Sequence, residues 1–308
     1  MILTAPDSSA RDSSGEDASA LASTPTPHSP HPTPRAALIL AGGAGTRLRP
    51  LSSDENPKQF LRIFDGVSLL EKTVARVGPL VSPESIFIST NDQYAAKCVA
   101  FLPELPKVNI LTEPARRNTA PAIALCCFVI EVMTGGDPVI AVLASDHYIA
   151  DEAEFVRVLD RAYDFASRTD YLVTIGIEPT EPNTGYGYLQ LGGEIEPGIT
   201  AVERFTEKPS REIAEEFLAA GNYAWNASMF VWRASVFRRA LAAAAPEIAR
   251  VTLETYESMP SISIDYALME KAPRVAAIRG DFGWSDVGSF EQLEKAGVPV
   301  KELLKKYQ

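Results

Sequence analysis

A glycine-rich run, two cations and two aspartates supply most of the chemistry this chain can offer. Leu40-Ala41 leads into Gly42-Gly43-Ala44-Gly45-Thr46-Arg47, and Pro57-Lys58-Gln59-Phe60 follows shortly after. Glycines let backbone N–H groups crowd around an anion, and such a nest favours phosphate oxygens. Arg47 and Lys58 add the positive charge that a triphosphate demands. The glycine spacing and the place of the lysine match neither the P-loop nor the dinucleotide fingerprint. Asp146 follows the apolar stretch 138–144, and Asp286 lies in a Gly-flanked loop after 275–278. Both carboxylates therefore fall at strand ends, where together they suit one Mg2+, an ion that prefers hard oxygens and fills its shell with waters and substrate phosphates. Taken singly, Asp146 reads equally well as a helix or turn cap, and Asp286 as a solvated loop acid. His147 reads as a packing or orienting residue, not a base.

The run from Leu40 to Ser52, followed by Pro57-Lys58-Gln59-Phe60-Leu61, resembles the opening motif of the sugar-1-phosphate nucleotidyltransferases, in particular their mannose-1-phosphate guanylyltransferase branch. Further matches come in family order: Glu113-Pro-Ala-Arg-Arg-Asn-Thr-Ala-Pro-Ala-Ile, Ser145-Asp146-His147, Asn183-Thr-Gly-Tyr-Gly-Tyr and Phe205-Thr-Glu-Lys-Pro. Trp225-Asn226, Ser263-Ile-Asp-Tyr-Ala-Leu-Met-Glu-Lys and Phe282-Gly-Trp-Ser-Asp-Val-Gly-Ser complete the series, which spans 36–292. The resemblance implies a three-layer, Rossmann-like α/β domain with a mostly parallel mixed sheet. It implies transfer of GMP from GTP to α-D-mannose 1-phosphate, giving GDP-mannose and pyrophosphate. The sugar phosphate already presents an anionic oxygen, so no general base is needed. Charge spread over the phosphates would be met by Mg2+, Arg47 and Lys58.

Carried over position by position, Leu40, Ala41, Gly42, Gly43, Gly45, Thr46 and Ser145 line the nucleotide, and Lys208 binds the sugar phosphate. Gly185, Glu207 and Asn226 read sugar hydroxyls. Guanine shows an N1–H and an amino group on one edge, so a carboxylate or amide oxygen must face it, and Glu113 or Asn118 supplies one. The chain departs from the family at Ser228, where a Gly usually follows the Trp-Asn motif. A serine there narrows the sugar pocket and, at positive φ, carries strain. Relatives also continue past the Trp-Ser-Asp motif into a β-rich domain that often supports dimers, whereas this chain ends soon after, so that domain is expected to be absent and a homodimer is left open. Thymidylyl or uridylyl transfer to glucose 1-phosphate, and a regulatory relative that binds without turnover, are the competing readings.

These side chains need a scaffold to place them. Short apolar runs at 36–41, 85–90, 108–111, 138–144 and 171–177 read as strands, alternating with amphipathic helices, the mark of βα units on a parallel sheet. Helices are predicted at 119–133, 154–168 and 211–220, the last stopping at Gly221. Strands are predicted at 188–191 and 200–205. The catalytic domain is placed at 35–290, its sugar half from about residue 171 onward, followed by a short helical tail at 291–308. Residues 1–34 are rich in Ser, Thr, Pro and Ala and predict a disordered tail, with His28 and His31 in solvent. At 308 residues and 46% hydrophobic, the chain can bury a sizeable core. A net charge of -11 argues against nucleic acid and anionic membranes as partners. Three cysteines, two of them adjacent, read as reduced thiols, and no export signal or membrane-length apolar run is found, so a cytoplasmic enzyme is expected.

Overall fold

The computed structural model describes residues 33–43 and 45–305. The predicted tail at 1–34, with His28 and His31, lies outside the described residues except for its last two positions, which lead into the first strand. The first half alternates β1 (Arg35–Leu40), α1 (Leu69–Val77), β2 (Ile86–Asn91), α2 (Asp92–Phe101), β3 (Ile110–Glu113), α3 (Thr119–Thr134), β4 (Val139–Ala144), the short β5 (Tyr148–Ile149) and α4 (Glu152–Arg168). The second half contains β6 (Leu172–Ile177), β7 (Tyr188–Glu196), β8 (Ile199–Thr206), α5 (Arg211–Ala220), β9 (Tyr223–Arg233), α6 (Ala234–Ala244), β10 (Val275–Gly280), β11 (Trp284–Ser285), α7 (Phe290–Lys295) and α8 (Val300–Leu304).

Local chemistry explains the boundaries. Ser68 and Glu71 form a reciprocal capping box at the start of α1. Asp151 accepts from the Glu154 N–H at the start of α4, and α5 ends at Gly221, whose φ of 72° is left-handed.

Nine strands form one sheet in the order β3-β2-β1-β4-β9-β6-β10-β8-β7, with β7 also pairing β9. Strands β1 to β4 are mutually parallel, and β10 is parallel to β6. Within this sheet β9 and β8 run against the rest. One face packs on α1, α2 and α4 through Val74, Cys98, Phe155 and Leu159. The other packs on α3 and α6 through Ile123, Cys127, Phe237 and Leu241. This gives the three layers that the sequence predicts. The three thiols are free and buried. Among the described residues, no helix is long and apolar enough to cross a membrane.

Strand β9 has no counterpart in the sequence prediction, yet it joins the two halves by pairing antiparallel with both β4 and β6. Its register against β6 jumps from Thr174–Phe230 to Gly176–Asn226, so Ala227, Ser228 and Met229 bulge opposite Ile175. That bulge opens the middle of the sheet at the C-terminal end of β4.

Candidate active site

The C-terminal ends of β1, β2, β3 and β4 deliver their loops to one edge, where an open α/β sheet receives ligands. A cavity of about 450 Å3 lies there, lined by Leu40, Gly42, Gly43, Glu113, Asn118, Ser145 and Asp146 from the expected set. Gln59, Ser89, Arg116, Phe230, Ser228 and Asp265 share the lining. Gln59 shapes the glycine loop by donating to the carbonyls of Ala41 and Gly43, both at 3.0 Å. Ala41 itself is buried beneath the loop. Ser145 is held by its N–H on the Leu40 carbonyl at 3.1 Å. Gly45 has φ of 60°, and a Cβ there would fall 2.7 Å from the Lys58 backbone nitrogen. It is therefore fixed as glycine both by conformation and by the close passage of the lysine segment. Thr46 opens the short 3-10 turn that carries Arg47. Neither Gly45 nor Thr46 lines the cavity itself.

At the far end of the cavity, Glu113 accepts from the Tyr256 hydroxyl at 2.8 Å, and burial pushes its carboxyl above the usual range. Asn118 stands at the N-cap of α3 with φ of 65°, its side chain accepting from the Thr119 N–H at 2.8 Å. Glu113 and Asn118 both line the cavity. Arg116 lines the cavity, whereas Arg117 donates to the Glu257 carbonyl.

Lys58 ties the two aspartates together. It is only 4% exposed, its Nζ lies 2.9 Å from Asp146 Oδ2, and it donates to the Asp286 carbonyl oxygen. Burial opposes ionisation of Asp146, but its neighbours, Lys58 foremost, together outweigh it and hold the carboxyl below its ordinary range. Asp286 Oδ1 accepts from the Tyr186 hydroxyl at 2.9 Å and from Gln292 Nε2 at 2.8 Å, while Arg47 lies 3.5 Å from Oδ2. A two-stranded ribbon also couples the loops, because Trp284 and Ser285 of β11 pair with Ile149 and Tyr148 of β5. Burial drives the His147 pKa down to about 4, and the neutral ring accepts at Nδ1 from Trp284 Nε1 at 3.2 Å. His147 is therefore an orienting residue, as its sequence context predicts.

The described residues contain no cluster of three or more His, Cys, Asp or Glu that could form a metal cage. Two carboxylates linked through Lys58, Asp146 in the cavity and Asp286 in the adjoining groove, instead suit a divalent ion that takes the remainder of its shell from water and phosphate. On donor chemistry, Asp146 and Asp286 fit Mg2+.

Beyond the bulge in β9 lies the second group of expected residues. Gly185 donates its N–H to Asn183 Oδ1 at 2.8 Å and borders the groove that holds Arg47 and Asp286. Glu207 follows β8, and Lys208 pairs with its carboxylate. That carboxylate is buried, and its Oε2 lies 2.6 Å from where a Cβ on Gly187 would stand, so a side chain there would displace the Glu207 carboxylate. Asn226 is 3% exposed and fully engaged within the protein. Trp225 and Trp284 flank Tyr186 edge-on, with centroids 5.1 and 5.0 Å away, as wall aromatics.

Sequence reasoning does not single out Gln59, Tyr186, Asp265 and Gln292 as site residues, although Gln59, Tyr186 and Asp265 stand within motifs quoted above. Ser228, expected only as a departure, has φ of 52° and is the one exposed position in the interior of β9.

Residues 36–302 match the nucleotidyl transferase family. The mannose-1-phosphate guanylyltransferase RfbM of Salmonella typhimurium LT2 is 40% identical over 276 residues, covering 83% of this chain and 57% of that protein. The xanthan biosynthesis protein XanB of Xanthomonas campestris pv. campestris is 42% identical over 275 residues, with 83% and 58% covered. The chain thus spans less than two thirds of the length of these relatives. Among solved structures, the mannose-1-phosphate geranyltransferase of Thermus thermophilus superposes with a TM-score of 0.78 at 34% identity, over 85% of this chain and 79% of that one.

Proposed function

The chain belongs to the nucleotidyl transferase family, and from that premise we propose that it transfers GMP from GTP to α-D-mannose 1-phosphate, releasing pyrophosphate and forming GDP-mannose. The observation that carries this reading is one cavity lined by Glu113, Asn118, the glycine loop and Asp146, with Lys58 tying Asp146 to the Asp286 loop that borders the adjoining groove. The names of the relatives supply the choice of guanine and mannose.

The glycine loop would cradle the triphosphate with backbone N–H groups, and Lys58 and Arg47 would face its charge. Lys208 would hold the sugar phosphate, orienting one of its oxygens in line with the α-phosphorus. That oxygen forms the new P–O bond as the bond to the β-phosphate breaks, and pyrophosphate carries away the electron pair. Asp146 and Asp286 would hold Mg2+, which neutralises phosphate charge when bound. Catalysis on this account is positioning and electrostatics.

Pyrophosphate release should be measured with GTP, ATP, UTP, CTP and dTTP, each offered with mannose or glucose 1-phosphate and Mg2+. Preference for GTP with mannose 1-phosphate, lost in Asp286→Ala, is expected. Preference for dTTP or UTP with glucose 1-phosphate would replace base and sugar while keeping the mechanism. Folded protein that binds GTP but is silent with every pair would instead mark a regulatory relative.

A further inference from the structure

Among the described residues, five non-glycine residues have φ between 45° and 65°, and four of them, Asn118, Lys208, Ser228 and Val287, belong to the site or adjoin one of its aspartates. Such conformations disfavour a Cβ and persist where the surroundings impose them. Ser228 is the most informative, because it stands at the apex of the β9 bulge with its side chain exposed to the cavity.

The neighbouring Asn226 has no polar capacity left. Its Oδ1 accepts from Thr174 Oγ1 at 3.0 Å and from the Ser228 N–H at 3.1 Å. Its Nδ2 donates to Asp265 Oδ1 at 3.1 Å and approaches Ser228 Oγ at 3.5 Å. Asn226 does not line the cavity, whereas Ser228 and Asp265 do. Asp265 begins a single π-helical turn, Asp265–Met269, and is 8% exposed. Glu207 and Lys208 are the charged groups that face it from across the cleft, and Ser263 supports it from its own segment.

We propose that Ser228 and Asp265 determine sugar specificity by reading one hydroxyl of the sugar, with Asn226 behind them as the positioning residue. A sugar hydroxyl both donates and accepts, so it can donate to the Asp265 carboxylate and accept from Ser228 Oγ. An epimer that moves this hydroxyl leaves a nearly buried carboxylate one hydrogen bond short, which is how polar sites reject a near-match. The inference rests on the proposed sugar-phosphate activity and deepens it.

Steady-state kinetics would be run on wild type, Ser228→Ala, Ser228→Gly and Asp265→Asn, using mannose and glucose 1-phosphates and the 2-, 3- and 4-deoxy analogues. Ser228→Ala and Asp265→Asn are expected to raise KM for mannose 1-phosphate about tenfold, more than they change kcat or KM for GTP, and to narrow the mannose-to-glucose ratio. One deoxy analogue should erase the difference between wild type and Ser228→Ala, identifying the hydroxyl read. An unchanged ratio in Ser228→Ala, Ser228→Gly and Asp265→Asn, with wild type active, overturns the inference alone. Wild type inactive with every pair overturns the functional reading and the inference with it.

Discussion

Lys58 concentrates the site's electrostatics in one side chain. A nearly buried ammonium that bridges Asp146 and the Asp286 carbonyl fixes where both loops stand and supplies the positive charge between them. Replacing it by methionine keeps the apolar stem and deletes the charge. We expect Lys58→Met to lose about 100-fold or more in kcat/KM, of the order seen for single electrostatic donors. Because Asp146 still meets water, the loss of stability should be only about 1–2 kcal/mol, measured by urea unfolding at pH 7. Asp265 makes the opposite prediction for stability. Burial, with Glu207 nearby, raises its carboxyl from the ordinary value to about 6. The folded state therefore holds a proton that the unfolded chain has already released, and its stability falls as pH rises from about 4 to 6. Asp265→Asn removes this penalty. It should match wild type near pH 4 and exceed it by about 2 kcal/mol at pH 7.5, in urea titrations at the two values. At this scale the glycine loop, Lys58, Asp146 and Asp286 are legible because their chemistry is carried by short contiguous motifs. Asp265 is not, since only a π turn and a bulge in another strand bring its carboxylate to the cavity.

The elements explain which parts of the scaffold can be read. Strands β1, β2, β4 and β6 are buried on both faces and so appear as apolar runs, which the sequence reveals directly. Strand β9 is equally central, but the polar Asn226 and Ser228 interrupt its apolar pattern, so neither alternation nor a continuous run marks it. The β5–β11 ribbon is two residues long on each side, too short for any periodicity. Helix α7 reads in the sequence only as part of a tail, yet its first turn braces the Asp286 loop. Gln292 Nε2 donates to Asp286 Oδ1 at 2.8 Å and to Tyr186 Oη at 2.7 Å, while its Oε1 accepts from the Gly288 N–H at 2.6 Å. Leu293, Val298 and Val300 pack the same segment onto Leu48, Leu61 and Val287. Groups that orient a metal-binding carboxylate typically govern affinity by about 10- to 100-fold. Gln292→Leu should accordingly need about 10- to 100-fold more Mg2+ for half-maximal pyrophosphate release. It should also lose much of the Mg2+-dependent gain in melting temperature, a readout independent of turnover. An unchanged Mg2+ requirement would reduce Gln292 to a helix-packing role.

For the whole molecule, the question is whether the nucleotide and sugar halves can part. The sheet runs without a break from β1 through β4 and β9 to β6 and β10, and one apolar cluster joins Ile39 and Ala141 to Val173, Val231 and Ile278. A cleft cut into the edge of such a sheet is not a hinge between separate cores, so both halves should unfold together. The chain carries its own reporters. Trp225, Trp232 and Trp284 all lie in the sugar half, and Cys98, Cys126 and Cys127 all lie on α2 and α3 of the nucleotide half. The thiols are buried and their pKa values pushed up, so the folded state shields them from alkylation. Tryptophan fluorescence and thiol labelling followed against temperature should therefore give coincident single transitions. GTP at about 100 times its Kd should add about 2.7 kcal/mol. That raises both midpoints together by about 5–10 °C for a domain of this size. Thiol labelling that precedes the fluorescence change, or a GTP shift confined to the thiols, would show the halves to be separable and would move the origin of specificity from a fixed cavity to the closing of one half on the other.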